Sequence, residues 1–121
     1  MRKRWPLPAL GVMVLVAGAV TGPALANDEA KQLWAQNCAK CHGETGKGDT
    51  KAGKMLKVED LTDPAVRANF DRAKMIKSTK EGVPKEGSTR LVMKGFADKL
   101  TDAQIESLVD LIYSFGGGGG S

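Results

Sequence analysis

The stretch Cys38-Ala39-Lys40-Cys41-His42 holds both cysteines and the single histidine of the 121-residue chain. Two thiols and an imidazole within five positions admit four chemistries. A disulfide between Cys38 and Cys41 would close a loop too small to stabilise much through chain entropy. A redox-active C-x-x-C needs a βαβ setting, and no run of this sequence alternates strictly enough for a strand. A structural zinc site needs about four ligands, and the chain offers only these three Cys and His side chains. The remaining pattern, C-x-x-C-H, is that of haem c attachment. Cysteines one helical turn apart each reach one haem vinyl group to form a thioether, and the next residue sets an imidazole against the iron. Such a covalent cofactor also supplies core volume to a chain with only three Phe, two Trp and one Tyr.

His42 fills one axial position, and a second histidine does not exist. The other position falls to Met, Lys, water or nothing. Beyond residue 26 the methionines are Met55, Met75 and Met93. Met55 follows the cluster in a loop-like segment, and Met75 falls on a helical apolar stripe, where a core role suits it. Met93 lies in "RLVMKGFADKLT", between two helical segments, where a loop can fold over the open iron face. Spacing favours Met93.

Three helical segments must position these groups. The first opens at Asn27 as N-cap, with Asp28 and Glu29 in the first turn. Ala30, Leu33, Trp34, Asn37, Cys38 and Cys41 follow at helical spacing, and Gly43 stops it. Residues 43–60 read as a Gly-rich, charged loop. Asp63-Pro64 starts a second helix, with Asp as N-cap and Pro at N1. It carries Val66, Phe70, Ala73, Met75 and Ile76 to about Lys80 and closes at Gly82. The third has the capping box Thr101-Asp102-Ala103-Gln104, an apolar face of Ile105, Leu108, Val109, Leu111, Ile112 and Phe115, and a stop at Gly116. The fold class is all-α. Residues 116–121 are a Gly-rich flexible tail or linker, native or added.

Residues 1–26 read as an export leader. Met1-Arg2-Lys3-Arg4 is basic, Leu7 to Val20 is apolar, and Ala24-Leu25-Ala26 suits cleavage before Asn27. An uncleaved membrane anchor is the minor alternative, since the uncharged run just reaches spanning length when Thr21, Gly22 and Pro23 are included. Removing Arg2, Lys3 and Arg4 from 18 basic residues leaves 15 against 14 acidic ones, about +1. That balance argues against nucleic acid as a partner. An asymmetry remains: residues 72–99 carry eight basic side chains against Glu81, Glu86 and Asp98, while 101–121 carry Asp102, Glu106, Asp110 and no base. A one-sided basic surface steers an acidic partner, although charge alone fits a solvated face better.

From Asn27 to Phe115 the chain resembles the class I, cytochrome c-like monohaem c-type cytochromes. "AKQLWAQNCAKCHG" is similar to that family's first helix and haem site, and "GKGDTKAGKMLKVEDLTDP" to the loop that follows. "MKGFADKLTDAQIESLVDLIYSF" is similar to its Met-containing loop and last helix. The resemblance implies three to five helices around one covalent haem c. It makes Cys38 and Cys41 the thioether anchors, His42 the proximal iron ligand and Met93 the distal one. It also implies that Ala30 and Trp34 pack on Leu108 and Leu111 of the last helix. Lys94 stands where the family has Pro, and Leu111 where it usually has an aromatic. In the family a backbone carbonyl near position 54 accepts a bond from the proximal imidazole, which places that role near Lys54.

An iron with both axial positions filled leaves no place for a substrate, so no enzymatic activity is expected. The expected role is a monomeric periplasmic electron carrier with redox proteins as donor and acceptor, some acidic or membrane-bound. Lys40, Lys47, Lys51, Lys54 and Lys94 are candidates for a basic rim at the docking face. A haem c subunit or domain of a larger dehydrogenase or oxidase complex is the alternative, and a ligand-binding haem sensor or enzyme fits less well.

Overall fold

A computed structural model describes residues 2–6, 11–14 and 23–116. The segment 1–26 read as a leader falls largely outside these residues, as does the glycine-rich segment beyond Gly116. The described chain is mostly helical. Its elements run α1 (Pro23–Asn37), α2 (Ala39–His42), α3 (Lys51–Leu56), α4 (Pro64–Arg67), α5 (Arg72–Glu81), β1 (Gly82–Pro84), β2 (Leu91–Lys94) and α6 (Asp102–Phe115).

The core forms where α1 crosses α6. Ala30 and Trp34 from α1 meet Ile105, Leu108 and Leu111 from α6, with Leu100 closing the cluster. The packing expected of Ala30, Trp34, Leu108 and Leu111 is therefore present. Leu111 is itself buried, and Trp34 supplies the aromatic bulk that Leu111 does not. Gln104 Nε2 donates to Glu29 Oε1 at 2.7 Å and ties the first turn of α6 to α1.

α6 is built as its sequence reads. Thr101 Oγ1 accepts from the Gln104 amide at 3.1 Å, and Gln104 Oε1 accepts from the Thr101 amide at 2.9 Å. This reciprocal pair satisfies two N–H groups that have no partner within the helix. Asp63 also caps as expected, accepting from the Ala65 amide at 2.8 Å with Pro64 next to it.

The element boundaries differ from the sequence reading in four places. α1 begins at Pro23 rather than Asn27. Pro fits a first helical position and Ala-Leu-Ala favours helix, so in the uncut chain nothing stops the helix short of Pro23. The first and second helices each divide. Cys38, at φ −118° and ψ −39°, separates α1 from α2, and Asp71 caps a new start at α5 by accepting from Lys74 N at 3.1 Å. The loop over 43–60 contains α3, nucleated by Thr50. Thus six helices, two of them single turns, stand among the described residues in place of three to five. Finally, Gly82–Pro84 and Leu91–Lys94 pair as an antiparallel ribbon, with Val83 opposite Met93. Three or four residues are too few to show a period of two, and Pro84 further masks the strand.

Candidate functional site

Cys38 precedes the single-turn helix α2, and most of the carbonyls leaving that turn are met by the loop after it and by Trp34. A helix end leaves its last C=O groups without internal partners. Here Ala39 O accepts from Gly43 N at 2.9 Å and His42 O from Gly48 N at 2.7 Å. Cys41 O accepts from Thr50 Oγ1 at 3.0 Å, and Gly43 O from Trp34 Nε1 at 2.8 Å. Gly43 makes the turn possible at φ 81°, a conformation that L side chains avoid. Gly53 lets α3 lie directly on this segment, because a Cβ there would collide with Cys41 O and come within 2.6 Å of Gly48 O. The Gly-rich stretch thus works as a clamp on the C-x-x-C-H turn.

Cys38 and Cys41 stand as free, half-buried thiols. Burial, and secondarily the neighbouring Cys41, pushes the Cys38 thiol up to about 11, so it is protonated near neutrality. Among the described residues no three His, Cys, Asp or Glu side chains gather to hold a metal ion by themselves. Burial lowers the His42 pKa and favours the neutral imidazole, the form that binds a metal. The Trp34 ring lies 5.7 Å from the His42 ring, tilted by 45°. His42 Nδ1 is buried with no hydrogen-bond partner. The bond expected from the imidazole to a carbonyl near Lys54 is therefore not formed, and Lys54 O accepts from Lys57 N instead.

Large apolar side chains lie open on α3, which packs on this turn, and on β2. Met55 is 75% exposed and Leu56 44% on α3, with Leu91 at 47% and Val92 at 41% on β2. A half-buried imidazole whose buried Nδ1 has no partner, two free thiols three residues apart and exposed apolar side chains on α3 and β2 together fit a large apolar metal-bearing ring. They do not fit a bare ion.

Of the three candidate methionines, Met55 is exposed on α3, while Met75 on α5 and Met93 on β2 are half-buried. Met93 sits on an element separate from the Cys38–His42 turn. Its strand is held to the end of α5: it pairs with β1, and beyond it Phe96 N donates to Thr79 O at 2.8 Å and Ala97 N to Lys80 O at 3.2 Å.

The family model for cytochrome c matches residues 17–115. The chain belongs to the cytochrome c family. It is a class I monohaem c-type cytochrome, a fold that carries covalently bound haem c with its iron and transfers electrons. Among solved structures, the KustC0563 c-type cytochrome superposes with a TM-score of 0.62 at 28% identity, covering 71% of this chain and 95% of that one. Among curated proteins, the Cbb3-type cytochrome c oxidase subunit FixP of Azorhizobium caulinodans is 30% identical over 103 residues, 85% of this chain. Subunit CcoP of Azospirillum brasilense is 31% identical over 99 residues, 78% of this chain. This cytochrome c chain spans about a third of the length of those relatives, 32% and 30%.

Several contributors at the site were not singled out from sequence. Thr50 serves two elements at once, capping α3 through Gly53 N at 2.9 Å while binding Cys41 O. Its signal was present as a Thr three residues before a glycine in a charged stretch, but the glycines pointed to loop. Arg67 bridges distant carbonyls, donating to Leu61 O at 2.9 Å, Ile112 O at 3.1 Å and Tyr113 O at 2.6 Å. It meets the orphan acceptors at the end of α6, a role no local pattern announces.

Proposed function

We propose that this cytochrome c is the electron-transfer module of an oxidase-type respiratory complex, exported to the periplasm and acting without catalysis of its own. The similarity to oxidase subunits over 85% of the chain carries the assignment to a complex. When bound, haem c supplies a one-electron Fe(III)/Fe(II) couple. Cys38 and Cys41 would hold it covalently as thioethers. His42 presents its neutral imidazole as the proximal ligand, and Trp34 limits where that ring can lie. Met93 offers the distal thioether from the β1–β2 ribbon. Thioether ligation favours the reduced state and raises the potential relative to two histidines. Held by both His42 and Met93, the iron would have no free position for a substrate. The exposed Met55, Leu56, Leu91 and Val92 would cover the ring and exclude water from it.

Lys40, Lys47, Lys51, Lys54 and Lys94 are all exposed and form the basic side of the docking surface. Charges so placed speed encounter with an acidic partner more than they tighten the complex. A free monomeric carrier is the second reading. It is favoured by the match to 95% of a c-type cytochrome chain of similar size. Among the described residues no helix is long and apolar enough to cross a membrane.

Native-size separation of mildly solubilised membranes, followed by haem staining and detection of this chain, tests the assignment. Co-migration with an oxidase is expected. A haem-stained band found only in the soluble fraction, at the size of the free chain, contradicts the complex and supports the free carrier.

A further inference from the structure

The strand that carries Met93 approaches two glycines more closely than any side chain would allow. Gly82 ends α5 at φ 89°, and a Cβ on it would lie 2.5 Å from Met93 O and 2.9 Å from Gly95 N. Ordinary contact begins at 3.4 Å. Gly95, two residues after Met93, faces the same helix end from the other side. A Cβ on Gly95 would collide with Lys80 O and lie 2.7 Å from Glu81 C and 2.9 Å from Glu81 O. The backbone on both sides of Met93 is thereby seated against the last turn of α5, where Thr79 O and Lys80 O accept from Phe96 N and Ala97 N.

We propose that Gly82 and Gly95 are positioning residues for Met93: their missing side chains set how far the thioether sulfur stands from the iron. This rests on Met93 being the distal ligand. An alanine at Gly82 must displace the Met93 carbonyl itself, and one at Gly95 must lift the strand off α5. A coordinating group has to be held to within about 0.5 Å, and either shift exceeds that tolerance. The ribbon itself lies outside the α1–α6 core cluster, which Phe96 just beyond Gly95 touches only at its edge, so a displacement of the strand loosens the ligand before it reaches the core. Gly87 provides the control. It has a similar left-handed φ of 73° at the tip of the same ribbon, but a Cβ there meets nothing within 4 Å.

The test compares holoprotein variants Gly82→Ala, Gly95→Ala, Gly87→Ala and Met93→Ala. Three readouts are followed: the long-wavelength absorption band that methionine sulfur gives ferric haem c, the reduction potential, and carbon monoxide binding to the reduced form. Gly82→Ala and Gly95→Ala are expected to lose most of the band, to fall in potential and to bind carbon monoxide, while Gly87→Ala keeps the band. Gly95 lacks a left-handed φ, so Gly95→Ala carries the test if Gly82→Ala does not fold. The proposal is overturned if both variants keep the band and potential of the parent and merely melt earlier, since the flexible Met93 side chain then absorbs the shift. If Met93→Ala itself leaves the band unchanged, the ligand reading fails first and the proposal falls with it.

Discussion

The Trp34 indole donates to Gly43 O at 2.8 Å, and its ring centroid lies 5.7 Å from that of His42 and 4.9 Å from that of Phe115. One side chain therefore fills the core, meets the Gly43 carbonyl next to His42 and walls the imidazole. These roles separate by substitution. Trp34→Phe keeps most of the packing and loses the N–H bond, and should cost about 0.5–1.5 kcal/mol, because Gly43 O keeps only the longer bond from Gly46 N at 3.3 Å. Trp34→Ala should cost about 3–5 kcal/mol, as large-to-small core changes do. Thermal denaturation of the ferric holoprotein measures both, and equal losses would show that the hydrogen bond contributes nothing. Cys38, Cys41 and His42 were legible at this scale because five consecutive positions carry the pattern. The partners of Trp34 and Arg67 were not, because their acceptors are 9 and up to 46 residues away and are chosen by the fold.

At the scale of elements, caps were the most readable feature and short elements the least. Thr101 and Asp63 announce their helices through local chemistry, and both cap as expected. Thr101→Ala removes one half of the α6 capping box and should cost about 1 kcal/mol. For a domain of this size that lowers the melting temperature by about 4–8 °C. An unchanged melting temperature would mean that packing against α1 alone holds the first turn. Arg67→Met keeps the aliphatic stem but strands three carbonyls, two of them at the end of α6. Because those carbonyls can partly turn to water, the expected cost is on the order of 1–2 kcal/mol, read in the same melts. α3 and the β1–β2 ribbon escaped the sequence reading for a physical reason. Each is specified by what it lies against, Gly53 on the Cys41 carbonyl and Gly82 on the Met93 carbonyl, and neither by propensity nor by period.

For the whole molecule, charge and cofactor set the behaviour. The basic run over residues 72–99 maps to α5, the ribbon and the segment after it, which together hold Met93. Arg72, Lys77 and Lys80 are committed to Asp110, Glu81 and Asp102. Lys94 sits exposed next to Met93. Association with an acidic redox partner should slow as salt shortens the screening length from about 30 Å at 0.01 M to about 3 Å at 1 M. Lys94→Glu should slow it further without moving the melting temperature. A rate that ignores salt would remove the electrostatic account of docking. The buried core is small, and the exposed apolar side chains of α3 and β2 are the surface a covalent ring would cover to add core volume.

The central claim is that one electron passes through a haem c held by His42 on one side and Met93 on the other. Redox titration of the parent and of Met93→Ala, monitored through the haem absorption, tests it most directly. The parent should titrate as a single one-electron wave. Met93→Ala should shift that wave to lower potential, lose the methionine band of the oxidised form and bind carbon monoxide when reduced. An unchanged spectrum and potential in Met93→Ala would contradict the account.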